Sequence, residues 1–127
     1  MTSNVPTDRK YTEDHEWAKD EGPGTVRVGI TDFAQHALTD IVFVELPKVG
    51  AKLERGKPFG VVESVKSASD LYAPIAGEVL EVNKAVLDAP ETVNKDPYGH
   101  GWMIVVKAAG DRGHLMDPAA YKKHIGA

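Results

Sequence analysis

The sequence predicts a mainly β protein, folded as a sandwich or barrel. Two observations carry this. Apolar, β-branched and aromatic residues come in short runs of strand length. Glycine and proline, 12 and 8 of 127 residues, fall between the runs at spacings that suit hairpins and not βαβ units.

The elements follow in order. Residues 26–30 alternate after the turn-rich Glu21-Gly22-Pro23-Gly24. Residues 31–40 read as a short helix. It carries Phe33, Ala34, Ala37 and Leu38 on one face, and Thr31 or Asp32 serves as its cap. Residues 41–46 and 58–65 are β-branched strands. Residues 71–73 lead into Pro74, and strands follow at 77–82 and 102–107. Asp117-Pro118 starts a C-terminal helix that runs to about His124, since proline suits the first helical position and Asp accepts orphan N–H groups. Its basic end, Lys122-Lys123-His124, complements the negative end of its dipole.

A weak repeat runs through this pattern. Val44-Glu45-Leu46 leads through a loop and a Gly/Pro turn to Gly60-Val61-Val62-Glu63, and Leu80-Glu81-Val82 leads similarly to residues 102–106. Two such halves could pack face to face. Short strands and turns also look alike without a repeat, and the pattern by itself leaves both open.

Composition narrows the function classes. The length fits one domain, 1–127, with a polar, loosely packed segment at 1–10. No apolar run approaches the roughly 20 residues that cross a bilayer. The first ten residues hold no signal-peptide core, so the chain is expected to stay where it is made. A formal charge of −4 points away from nucleic acid. The absence of cysteine excludes thiol catalysis, disulfides and cysteine-ligated metals. The five histidines, His15, His36, His100, His114 and His124, lack metal-ligand spacing, and His15 has no nucleophile to complete a triad. Tyr98, Trp102 and Phe43 read as core or loop-packing residues.

Lys66 stands out by its surroundings. Apolar residues lead into Ser64-Val65-Lys66-Ser67-Ala68-Ser69 and lead out again at Leu71, which predicts a hairpin with Lys66 at its tip. Small neighbours leave the amine open to an enzyme that must grip it. An isolated lysine at a β-turn would serve only solubility. The wider pattern reverses that reading. Glu63-Ser64-Val65-Lys66 and Ala73-Pro74-Ile75-Ala76-Gly77-Glu78-Val79 resemble the lipoyl-attachment region of the glycine cleavage system H proteins. So do Tyr11 with His15-Glu16-Trp17, Gly29-Ile30-Thr31-Asp32, Val42-Phe43-Val44-Glu45-Leu46-Pro47, Asp96-Pro97-Tyr98 and Gly101-Trp102. The likeness covers roughly residues 10–125. Biotin carriers show Met on both sides of their lysine; Val65 and Ser67 argue against biotin.

The resemblance implies a two-fold barrel-sandwich hybrid of the lipoyl/biotinyl type, with a short helix after the first strands and a C-terminal helix. It implies a non-catalytic, monomeric carrier with lipoate attached to Lys66. That arm would take the aminomethyl group of glycine from a pyridoxal-phosphate decarboxylase (P protein) to a tetrahydrofolate-dependent aminomethyltransferase (T protein). Dihydrolipoyl dehydrogenase (L protein) would reoxidise it. Glu63 and Gly77 would be read by the lipoylating enzyme. Because nitrogen and sulfur share one carbon in such a cargo, water breaks it down, and its ammonium needs acceptor partners in a sheltered cleft. By position Glu16 and Asp70 are those partners. Asp70 is local to Lys66, whereas the placement of Glu16 rests on the resemblance alone. Asp14 stands where relatives often carry serine; it adds a second charge or caps a turn. The expected location is a bacterial cytoplasm, with a mature mitochondrial form as the second reading. A lipoyl or octanoyl relay for other lipoyl-dependent enzymes is the alternative function. An unmodified partner-binding sandwich is the alternative from another class.

Overall fold

The computed structural model describes residues 3–126. Nine strands and four short helices follow in the order β1 (Lys10–Tyr11), β2 (Glu16–Gly22), β3 (Thr25–Ile30), α1 (Asp32–Leu38), β4 (Ile41–Glu45), β5 (Lys52–Leu53), β6 (Pro58–Ser64), β7 (Ala68–Tyr72), β8 (Ala76–Val82), α2 (Lys84–Asp88), α3 (Thr92–Lys95), β9 (Ile104–Ala109) and α4 (Pro118–His124). The strands form two antiparallel sheets. One has the order β1-β2-β3-β9-β8-β5 and the other β4-β6-β7.

The weak repeat has a structural counterpart. The first copy supplies the neighbouring pair β4–β6 in the small sheet, and the second supplies β8–β9 in the large one. The loop of the first copy contains β5, which crosses to pair with β8. Between the sheets lies one apolar cluster that includes Val28, Ile30, Val44, Val62, Leu71, Ile75, Val79 and Val106. Their burial is the main stabilising contribution, at about 25 cal/mol per Å² of apolar surface.

Caps set the helices as their residue types predict. The Thr31 hydroxyl accepts from Ala34 N at 3.2 Å and starts α1. Asp117 accepts from Ala120 N at 2.8 Å, with Pro118 in the first turn of α4. Asn83 starts α2 by accepting from Ala85 N, and its buried Nδ2 donates to the carbonyls of His100 and Trp102 at 2.8 and 2.7 Å. Asn83→Ala strands both carbonyls and removes the cap. It should cost about 3 kcal/mol, read as a lower urea midpoint at unchanged slope.

Two expectations are corrected. The segment before β1 is tied down among its described residues. Val5 is buried, Asn4 N donates to Asp32, and Tyr98 donates to Asn4 O. The Arg9 guanidinium stacks over Trp17 at 4.6 Å and Tyr98 at 5.1 Å. These partners lie up to 94 residues away, beyond any local pattern. Phe43 is also no core residue, because it is 46 % exposed. The β4–β6 register shifts between Ile41 and Phe43, and this irregularity leaves Val42 and Phe43 outward while Val44 points in.

A second cluster joins the N-terminal strands to α4. Tyr11 stacks on Tyr121 at 4.6 Å and 11°, beside buried Trp17, whose indole N–H donates to Pro97 O at 3.0 Å.

Candidate functional site

Lys66 sits at the tip of the β6–β7 hairpin, and the serines build that tip. Ser64 N donates to Ser67 O at 2.8 Å. The Ser64 hydroxyl oxygen accepts from the backbone N–H groups of Lys66 and Ser67, both at 3.1 Å. Val65 N donates to Asp40 O at 3.0 Å, which ties the tip to the corner after α1. Val65, Lys66, Ser67 and Ala68 are all exposed. The Lys66 amine reaches back to the Ala37 carbonyl, a weak contact at 3.4 Å.

Ala37 also lines a cleft of about 190 Å³ between α1 and β7. Its walls are apolar: Ile30, Ala34, Leu38, Val62 and Leu71. Asp14, His15, Glu16, Ser69 and Asp70 complete its lining. Glu16 comes from the start of β2 and Asp70 from β7, so tertiary structure brings together two residues 54 positions apart. A second cleft of about 460 Å³ shares Asp14 and Glu16 and adds Arg55, Pro74 and His114.

Glu16 is almost fully buried, at 2 % exposure. Its carboxyl accepts from the Thr12 hydroxyl at 2.8 Å and from Tyr72 N at 3.3 Å. Burial pushes its pKa up to about 8, and the charge of Asp14 adds to the rise against those two hydrogen bonds. Burial makes Glu16 a largely protonated group at neutral pH until a cation arrives.

This has a stability consequence. Below the ordinary carboxylate range, both folded and unfolded states hold the proton. As pH rises toward 8, the unfolded chain ionises while the folded one resists, so the contribution is lost. Wild-type stability relative to Glu16→Gln should therefore fall by a few kcal/mol, on the order of 1.4 per unit of displacement, between about pH 5 and pH 8. Urea unfolding across that range reads it. A constant gap would mean that Glu16 ionises freely in the folded protein.

Glu63 and Gly77 lie in different sheets. Glu63 is exposed on β6, opposite Phe43 and Ala68. Gly77 is buried on β8 between Leu53 and Ala108, where an added Cβ would stand 2.2 Å from Lys107 O. Its lack of a side chain is therefore required by packing, whatever else it does.

A model of the family described as glycine cleavage H-protein matches residues 9–126. The chain belongs to the glycine cleavage H-protein family. Relatives named glycine cleavage system H protein share this length closely. That of Laribacter hongkongensis is 58 % identical over 126 residues, covering 98 % of this chain and 99 % of its own. A probable H protein of Natronomonas pharaonis is 59 % identical over 111 residues, 87 % of each chain. The crystal structure of a glycine cleavage system H protein from Mycobacterium marinum is 45 % identical. It covers 97 % of this chain and all of that one, with a TM-score of 0.88. The two-sheet architecture is thus that of a solved H protein.

His15 is the site residue that sequence reasoning missed. Its backbone is left-handed, with φ 70°. The available signal is its place beside Glu16 in the family signature.

Proposed function

We propose that this chain is a lipoylated carrier of glycine cleavage, with the arm on Lys66 and its cargo sheltered in the cleft between α1 and β7. The observation that carries the reading is the cleft itself. It has an exposed lysine at one border, apolar walls, and three carboxyl groups from two separate segments of the chain. Such a lining suits an apolar chain that ends in a cationic amine. The group would supply a disulfide that accepts a one-carbon amine at sulfur, chemistry that belongs to the cofactor.

The residues of the chain do the rest. Ser64 holds the tip so that Val65 and Lys66 stand clear of both sheets. Ile30, Leu38, Val62 and Leu71 exclude water from the carbon chain of the arm. Asp70 and Asp14 offer negative charge at the exposed border of the cleft. An arriving ammonium favours the ionised form of Glu16, so Glu16 gives up its proton and becomes a buried counter-ion. No nucleophile is needed, because the chain carries and does not catalyse.

The proposed partners are the decarboxylase, the aminomethyltransferase, dihydrolipoyl dehydrogenase and a lipoylating enzyme that reads Glu63 and Gly77. The proposed setting is the bacterial cytoplasm and the proposed working form a monomer. Peptide mass spectrometry of protein from its native cells tests the attachment. The Lys66 peptide is expected to carry a lipoyl or octanoyl increment, and a peptide that never does would end this reading.

A further inference from the structure

Three consecutive residues, Asp14, His15 and Glu16, line the same cleft. An extended strand cannot do this, because successive side chains point to opposite faces. The left-handed backbone of His15 makes it possible, a conformation uncommon outside glycine that histidine and asparagine adopt more readily than most residues. Contacts to other elements hold it in place.

The hold is a buried chain of hydrogen bonds. His15 Nδ1 lies 2.9 Å from the Tyr121 hydroxyl, which lies 2.7 Å from the Thr31 hydroxyl. Thr31 Oγ1 already accepts from Ala34 N as the cap of α1. One direction satisfies both hydroxyls and the cap N–H: Ala34 N–H to Thr31, the Thr31 O–H to Tyr121, and the Tyr121 O–H to His15 Nδ1. Reversing it leaves the proton of the fully buried Thr31 hydroxyl without a partner among the described residues. The ring is thus a neutral acceptor. The backbone closes the same unit, since Thr31 N donates to His15 O at 3.0 Å.

Most neighbours of the ring fit that role, and Asp14 alone opposes it. From α1, uncharged Phe33 packs at 4.7 Å. From α4 come Tyr121 and His124, with ring centres at 5.8 and 5.5 Å. On its own segment stand Asp14 and Glu16. Burial and His124 both push the His15 pKa below its ordinary value, against the pull of Asp14.

We infer that His15 is a positioning residue: its neutral ring, locked to α1 and α4 through Thr31 and Tyr121, holds the turn that turns Asp14 and Glu16 together into the cleft. The importance of that turn for the cargo rests on the carrier reading above. The turn itself does not.

The test uses full-length His15→Asn, Tyr121→Phe and the double variant. Asn tolerates left-handed backbone and cannot reach Tyr121. Phe removes one hydroxyl and keeps the stack on Tyr11. The first readout is the Glu16 midpoint, from the shift of its carboxyl carbon during an NMR titration of unmodified protein. Wild type is expected near 8. Each folded single variant should lower that midpoint by about one pH unit or more, as the carboxyl turns toward water. The double variant should go no further than the singles, because one chain of bonds serves both. A midpoint unmoved by Tyr121→Phe overturns the proposal, and this variant decides alone if His15→Asn does not fold. The second readout is formaldehyde release from loaded, lipoylated protein without partners, expected several-fold faster in each single variant. If Glu16→Gln leaves that release unchanged, the sheltering role of Glu16 fails while the midpoint still judges His15. If Glu16→Gln speeds release and the two single variants do not, the positioning proposal fails.

Discussion

Lys66→Arg is expected to abolish lipoyl attachment completely and leave the fold unchanged. The loss is complete because the chain has one proposed attachment point, and a guanidinium that stays protonated in proteins offers no amine to acylate. The fold survives because Lys66 is exposed and its amine touches only the Ala37 carbonyl, at 3.4 Å. Stability should change by no more than about 0.5 kcal/mol. Co-expression with a lipoylating enzyme, followed by intact mass and a thermal melt, measures both effects. Glycine cleavage reconstituted with this variant should fall to background. Persistent carrier activity would show that the function does not pass through a covalent arm on this residue.

Gly77→Ala should give a large loss of stability, because the added methyl group has no space. The new Cβ would meet Lys107 O at 2.2 Å, Val106 Cγ1 at 2.5 Å and Lys107 C at 3.0 Å. The obstacle is mostly the backbone of β9, which pairs Ala108 with Gly77. It cannot yield without opening the β8–β9 ladder. A cost of about 3 kcal/mol follows, at the upper end of ordinary overpacking. Urea unfolding measures it, and a variant as stable as wild type would contradict the close approach. The same variant separates the two roles of Gly77. Packing alone predicts that the folded fraction is lipoylated at the wild-type rate. A mark read by the lipoylating enzyme predicts a slower rate even when the protein is folded.

The strands rich in β-branched residues were legible because burial between two sheets demands that composition. Residues 26–30, 41–46 and 77–82 all coincide with strands within a residue or so at each end. The Thr31 and Asp117 caps were legible because side-chain capping is a local bond. By contrast, β2 left no alternating signal. Glu16, Trp17 and Ala18 are buried in succession and Asp20, Glu21 and Gly22 are exposed, since α4 and the N-terminal segment cover what a bare strand would show to water. The helices α2 and α3 have five and four residues, too few to display a helical period.

At the site, Lys66 and Asp70 lie on one hairpin, and their neighbourhood follows from the local sequence. Glu16 reaches the same cleft only because β2 pairs with β3, and β3 leads directly into α1, the wall facing β7. Its burial, and hence its hold on a proton at neutral pH, belongs to the closed cleft and to no sequence pattern.

Sequence alone determined that the chain is mainly β, that it has no thiol chemistry of its own, and that Lys66 stands at an open hairpin tip. These are properties of composition and short-range geometry. The tertiary structure decided that three acidic residues meet beside that tip, that Gly77 must lack a side chain, and that His15 takes a left-handed backbone within bonding reach of Tyr121. Each of those depends on how closely distant segments approach, and distance across a sheet or a helix face is set by the packing of the whole molecule.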